Sequence, residues 1–484
     1  MKSNFLSVNY RTLLLSASLF FGGVLLTLPG GAASWSAQPL VVHEWGVQVF
    51  DWSKPTPTSP PLPDFIHTDA HPGTPVVSTQ KRVKDLPPDS GIRFKPVLYF
   101  YPPANQLGEN LVGVEMRFAY GHANAWYPQA NVYRTPGMTA NAKEPDWDAW
   151  RKANGPRMFA DPKKLAVPVP DDERMELVWS RLTLSKDVPA GVKLPEVDKG
   201  HWISIARQVQ SAYVSNGTEA EKFLFYEGAT HERPAVTLIA DADGFMSRPS
   251  KMTHIVNVTD LPLYNVFAIY HHDHHTWIGY ATVLEPIKPV SQPGGAGSTI
   301  TTLAVPDFAA FNDWTDDQTI AALTTHRLRA ALTEGGGLSI NHGLRDPADP
   351  QGPTQCAELF PDEAQALETI WHDDFFNNDG LTILYRESPA ALDRAMPLNL
   401  YTDMYHYIKF SRCGLVVNQN IDPAQVMATY FGVSALSYGN KMPAATLAAL
   451  KANRFLTEGN IAYFERLGRD PKQIAEMRAE LGKN

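Results

Sequence analysis

The sequence predicts a β-rich α+β protein, with an antiparallel, sandwich-like N-terminal region followed by a mixed and then helical C-terminal region. Three observations predict it. Short β-branched and aromatic runs recur up to about residue 285, separated by turn signals such as Asn216-Gly217 and Asp243-Gly244. Helical spacing takes over beyond a Pro/Gly-rich stretch, Pro286 to Ser298. The composition agrees, because 39 prolines and 33 glycines with only 19% charged residues suit many short segments rather than long solvated helices.

Lys2 and Arg11 precede an apolar stretch, Leu13 to Leu28, which exits through Pro29-Gly30-Gly31-Ala32-Ala33. A basic start, an apolar middle and small residues before a cleavage point describe a secretory signal peptide over residues 1–33. No later segment has about 18 continuous apolar residues, so no integral membrane segment is expected after cleavage, and the expected location is periplasmic or extracellular. Without Lys2 and Arg11 the chain carries 40 basic against 51 acidic residues, a net charge of −11. An acidic chain with no Lys/Arg run has no electrostatic footprint for nucleic acid. The expected partner is a small molecule or a polysaccharide.

The elements follow in order. Leu40 to Trp52 is β-branched and aromatic and predicts a first strand, with Gly46 marking a bulge or a close approach. Pro55 to Pro75 holds too many breakers for a regular element. Val97–Tyr101 lies between prolines as a strand, and Leu111–Tyr120 alternates as a half-buried one. Further strands are expected at Met175–Leu184, His201–Ala206, Lys222–Tyr226, Ala235–Ala240, Thr253–Val258, Val266–Tyr270 and Thr276–Leu284, with one helix near Trp147–Ala153. Residues 34–285 thus form the β-rich part, 286–298 a linker, 299–420 a mixed α/β region and 421–484 a helical one. In the mixed region, Asp316–Glu334 and Pro361–Phe376 have helical spacing, the second with proline in its first turn and Asp362-Glu363 at the positive end of its dipole. Leu381–Arg386, Leu398–Leu400 and Tyr405–Phe410 read as strands.

Chemistry has two candidate places. His271-His272-Asp273-His274-His275 follows an apolar strand, and histidines at alternate positions of an extended chain can chelate a divalent transition metal, zinc first. His271, His272 and His275 are the candidate ligands, although no H-E-x-x-H spacing is present and a solvated polar loop is the competing reading. The second place is His43-Glu44-Trp45-Gly46, where His43 and Glu44 are candidate catalytic groups. On a regular strand they face opposite sides, and a core histidine beside a packed tryptophan is the competing reading. Nucleophile and phosphate-cradling motifs are missing. Cys356 and Cys413 are the two cysteines; in an oxidising compartment one disulfide is the simplest expectation, with a reactive thiol or a metal ligand as alternatives.

An ordered series of motifs also runs along the chain: His43-Glu44-Trp45-Gly46, then Pro96-Val97-Leu98-Tyr99-Phe100-Tyr101, Trp126-Tyr127-Pro128, Lys222-Phe223-Leu224-Phe225-Tyr226, and Ala364–Phe376 leading into Leu381–Tyr385. It resembles a family of large exported bacterial proteins marked by an N-terminal "HEWGTF" motif, and the resemblance extends to about residue 410. It differs at Val47-Gln48-Val49, where Thr-Phe-Thr is usual, and at Glu227, where Arg is usual. The resemblance implies export and gives weight to His43 and Glu44; it implies no particular reaction.

Together these readings lead to an exported metal-assisted hydrolase. His43, His271, His272 and His275 would hold the cation and Glu44 would act as general base on bound water. The competing class is a non-catalytic carbohydrate- or protein-binding or envelope-structural protein, presenting Trp45, Trp126 and Tyr127 as a contact surface.

Overall fold

A computed structural model describes residues 40–53, 62–68, 91–103, 111–118, 121–134, 175–230, 232–240, 253–272, 275–287, 301–306, 315–333, 358–402 and 408–482. The expected signal peptide, the helix near Trp147–Ala153, nearly all of the linker, His274 and Cys356 lie outside the described residues, as does the side chain of His275. The β-rich α+β class is the observed one. Residues 38–484 form one compact unit.

In chain order the first strands are β1 (Leu40–Asp51), β2 (His67–Thr68), β3 (Gly91–Tyr101), β4 (Leu111–Phe118), β5 (Gly121–Tyr127), β6 (Asn131–Arg134) and β7 (Met175–Ser185). They are followed by β8 (Tyr213–Ser215), β9 (Ala220–Glu221), β10 (Leu224–Thr230), β11 (Val236–Ala240), β12 (Thr253–Asn257), β13 (Leu263–His272) and β14 (His275–Leu284). The last are β15 (Leu303–Val305), β16 (Thr315–Asp316), β17 (Gly380–Arg386), β18 (Leu398–Thr402) and β19 (Ile408–Ile421). The helices are α1 (Trp202–Ala206), α2 (Asp317–Thr333), α3 (Pro361–Phe376), α4 (Pro389–Ala395), α5 (Pro423–Ser437), α6 (Ala444–Ala452), α7 (Arg454–Arg466) and α8 (Pro471–Gly482).

A ten-stranded sheet in the order β16-β14-β13-β17-β19-β1-β3-β10-β5-β2 organises everything else. Its centre is the pair β1 and β19, parallel and in register from Leu40 opposite Ile408 to Asp51 opposite Gln419. Because β19 and β17 come from beyond residue 298 and β13 and β14 from before it, the expected linker does not divide the core. Strand alternation then sorts the side chains. Leu40 and Val42 of β1 with Leu98 and Phe100 of β3 pack on the second sheet (β18-β4-β7-β8-β9, with β6 on β7) through Val112, Val114, Met116 and Leu177. Trp45, Val47 and Val49 of β1 point the other way and pack under Leu328 and Leu332 of α2 and Leu367, Trp371 and Phe375 of α3. The third sheet, β11-β12-β15, closes the far half of the first, and α5, α7 and α8 cover it in turn.

Two elements depart from expectation. His201–Ala206, read as a strand, is α1. Gly200 takes φ 104° ahead of it, His201 caps it by accepting from the Ile203 N–H at 3.3 Å, and Trp202, Ile203 and Ala206 form one buried face. Here the capping signal and the i, i+4 spacing win over β propensity. Of the expected strand at Tyr405–Phe410, residues 405–407 lie outside the described residues, and Ile408–Phe410 open β19, fourteen residues long. Its second half, Asn418-Gln419-Asn420, carries polar residues and was not legible as strand, yet Asn418 is fully buried and donates to the Ile383 carbonyl.

Candidate functional site

The Trp45–Gly46 step interrupts the sheet. Pairing between β1 and β3 shifts between Trp45 and Val47, where Lys95 and Pro96 of β3 stand opposite the single residue Gly46. The next strands shift at the same level, β10 against β3 between Phe225 and Gly228 and against β5 between Glu227 and Gly228. Gly46 permits this, since a Cβ there would meet Pro96 at 3.1 Å. Lys95 itself takes φ 49°, the left-handed region that costs a residue with a Cβ of order 1 kcal/mol or more.

His43 and Glu44 leave β1 on opposite faces, as their adjacency requires. On the helix face, His43 Nδ1 is 2.7 Å from Glu363 Oε2 in the first turn of α3. The same oxygen accepts the Phe360 N–H at 2.7 Å, and the Phe360 and Tyr101 rings flank the imidazole. Burial, and then Glu363 beside it, push the Tyr101 hydroxyl far above its usual pKa. On the other face, Glu44 accepts Arg412 Nε and Nη2 and the Tyr226 hydroxyl. Arg412 Nη1 reaches on to Asp393 Oδ1 at 2.7 Å and the Met396 carbonyl at 2.9 Å. Nearby, Arg93 bridges Glu387 at 2.7 Å and Glu232 at 2.8 Å, and Gln48 donates to Glu232 at 3.1 Å. Burial works against the Arg93 and Arg412 charges, yet these carboxylates outweigh it and hold both pKa values above the usual arginine value. Burial also lifts Glu387, with Arg93 and Arg412 opposing the rise.

The histidine run stands elsewhere. His271 lies opposite Gly380 on β17, the neighbouring Leu381 lies opposite Ile421 on β19, and His43 lies opposite Ser411 on β19. Ten residues of β19 separate those two levels, roughly 33 Å at ~3.3 Å per residue. His271 and His272 also point to opposite faces of the β13–β14 hairpin. His271 Nδ1 is 3.0 Å from Thr276 Oγ1, while His272 is exposed and in register with His275. Among the described residues no group of three or more His, Cys, Asp or Glu side chains is arranged to hold a metal ion. The joint site expected from His43, Glu44, His271, His272 and His275 is therefore not assembled.

The other expectations need correction too. Cys413 carries a free, buried thiol in the centre of β19, opposite Trp45, and burial pushes it up to about 11. The expected disulfide with Cys356 is not made there. Trp45, Trp126 and Tyr127, the expected contact surface, are all buried.

Sequence reasoning missed Lys95. Its Nζ sits 4.4 Å from the centre of the Trp371 ring and 5.9 Å from that of Trp202. It makes no ion pair with any described residue. Burial pulls its pKa down, against Glu227 and Asp374. Burial raises the Asp374 carboxyl in turn, and burial with the nearby Lys95 charge lowers His201. The available signal was a lysine inside an apolar strand, directly before a proline. Glu363 and Arg412 were missed because they lie 320 and 368 residues from their partners.

No protein-family profile matches the chain, and no curated protein matches it. Among solved structures it is similar to the Fcho1 Mu homology domain of Danio rerio with bound Eps15 peptide, at 8% identity and a TM-score of 0.24, over 79% of this chain and 95% of that one. A similarity that low carries no statement about activity.

Proposed function

We propose that the chain is an exported, non-catalytic protein-binding protein rather than a metal-assisted hydrolase. The observation that carries this reading is the fate of the hydrolytic residues. The general base of that scheme, Glu44, is held between Arg412 and Tyr226 on one face of the sheet. His43 is committed to Glu363 on the other, and the histidine run lies roughly 33 Å along the strands. Residues so committed support the fold, and among the described residues no set of side chains converges to hold a cation.

The contact surface in this reading is on α5 and Tyr438, the residue that caps its C-terminus. Met427, Phe431 and Tyr438 are exposed by 39, 48 and 62%, and the Arg469 guanidinium lies 4.3 Å from the Tyr438 ring centre. Met, aromatic and Arg side chains are the residues enriched where proteins meet proteins. Export is supported by the signal-peptide pattern over residues 1–33.

Two measurements test the reading. Metal content of the untagged chain is determined by mass spectrometry, alongside His43→Ala and His271→Ala/His272→Ala variants. Metal well below one ion per chain, unchanged in the variants, is expected; about one ion per chain, lost in either variant, would overturn the reading. A photo-reactive phenylalanine in place of Phe431, introduced in the producing cell, is expected to give a discrete protein adduct. The same probe at Tyr213 is the control, and equal labelling at both positions would remove α5 as the contact surface.

A further inference from the structure

The helix face of the sheet holds a feature that neither the fold nor the α5 surface uses. Lys95 is 8% exposed, and its ammonium lies against Trp371 at 4.4 Å and Trp202 at 5.9 Å. The backbone that places it there is a left-handed residue in a bulge aligned across three strands, a costly conformation for a lysine. Ordinary lysines keep their heads in water. This one is turned into an aromatic slot between α1 and α3.

Its surroundings supply the other parts of an amine site. Glu227 and Asp374 are the carboxylates that face it and His201 is the nearby base. The Trp371 indole N–H is buried with no acceptor among the described residues. An amine in an apolar slot attacks carbonyl carbon far better than an exposed ammonium does, because burial favours its neutral form. Two carboxylates beside the amine would repel a ligand that carries its own, and two indole faces would pack on an apolar or aromatic body.

We propose that Lys95 is a covalent capture site for a small, uncharged aldehyde with an apolar or aromatic body. The Lys95 Nζ lone pair attacks the carbonyl carbon and the new C–N bond forms as the C=O π bond breaks. The oxygen takes up the proton released by nitrogen, giving a carbinolamine. A second proton, taken from solvent, lets that oxygen leave as water, and the imine nitrogen is left protonated. No oxidant or reductant is needed, and water returns the free amine and aldehyde. The proposal is independent of the α5 contact surface, so either can fail alone.

The test uses the full chain with benzaldehyde as probe and cyanoborohydride to trap the imine at pH 7, followed by peptide mapping. Lys95 is expected to be modified at least about tenfold faster than exposed lysines such as Lys472, because burial keeps more of its amine neutral. Glyoxylate, which carries a carboxylate, is expected to show no preference for Lys95. Lys95→Arg keeps the cation and removes the nucleophile; it should lose the fast phase with an unchanged circular dichroism spectrum and melting curve. Trp371→Phe should slow capture of benzaldehyde while labelling of Lys472 stays constant. Modification of Lys95 no faster than of Lys472 in the folded chain would overturn the proposal, as would equal preference for glyoxylate.

Discussion

The two faces of the ten-stranded sheet bury polar groups in opposite ways. On the face toward the second sheet, the charges around Glu44 and Arg93 are matched group by group. Arg412 is shared by Glu44, Asp393 and the Met396 carbonyl, and Arg93 by Glu232 and Glu387. On the face under α3, several polar atoms are left over. The Trp45 and Trp371 indole N–H groups and the Ser411 hydroxyl are buried with no partner among the described residues, and Lys95 lies against ring faces with no ion pair to any described residue. Buried polar groups are nearly always satisfied when their role is to hold a fold. The matched charges are therefore structural, and the unmatched atoms under α3 are ones that holding the fold does not explain.

That contrast sets the largest expected effect. Arg412→Met on the matched face removes the shared cation and leaves Glu44 and Asp393 facing each other without it. The loss should be about 3–5 kcal/mol, the cost of breaking a buried ion pair by deleting one partner. It is read as a shift of the urea unfolding midpoint. The double variant Glu44→Gln/Arg412→Met should recover part of that loss, because the orphaned charge has gone with it. A single variant within 1 kcal/mol of wild type, on the order of an exposed pair, would erase the contrast between the faces.

The next effect concerns pH. Cys413 lies on the α3 face, and burial raises its thiol from 9.0 to about 11. Below about pH 9 the thiol is protonated whether the chain is folded or not, and its contribution to stability is constant. As pH rises from 9 toward 11 the unfolded chain releases this proton first, so stability falls, by up to about 3 kcal/mol for two pKa units. Cys413→Ala should remove that share of the alkaline loss, measured as the difference between the two stability–pH curves. Parallel curves for the two proteins would mean that the thiol is more accessible than its place opposite Trp45 allows.

Much of the helix face was legible in the sequence and much was not, and the difference is one of range. Alternation in Leu40–Trp52 placed His43 and Glu44 on opposite faces, and proline with two acids marked the start of α3. Those are local signals. The partners that give these residues their roles are set by the parallel pairing of β1 with β19 and by the docking of α3 on the sheet, which no local pattern encodes. The histidine run misled for the same reason, since a conspicuous cluster along the chain says nothing about the level at which its strand enters the sheet. Lys95 was inconspicuous as one of two cations in a mostly apolar strand, and it became visible only once Trp202 and Trp371 closed over it.

A smaller effect sharpens the contrast through its sign. Ser411 is fully buried and in register with His43, and its hydroxyl is unmatched among the described residues. Ser411→Ala deletes that group with little change of volume, so it should leave stability unchanged or raise it by about 1 kcal/mol. A loss above about 1 kcal/mol in the urea midpoint would mean that the hydroxyl is satisfied and that the α3 face is as well matched as the other.

The smallest expected effect belongs to the residues that looked most functional. His271 is half-buried at the end of β13 beside Thr276, and His272 is exposed. Both stand at the tip of the hairpin, past the buried part of β13. His271→Ala/His272→Ala should therefore change stability by less than about 0.5 kcal/mol, the usual range for surface substitutions. His43→Ala, by contrast, leaves Glu363 without one of its two hydrogen-bond donors inside the core and should cost at least 1–3 kcal/mol by the ordinary price of an unsatisfied buried group. Both are read from the same urea titration. Equal losses for the two variants would place the hairpin tip among the elements that hold the sheet together, and burial would then have failed as the guide to which histidines the fold depends on.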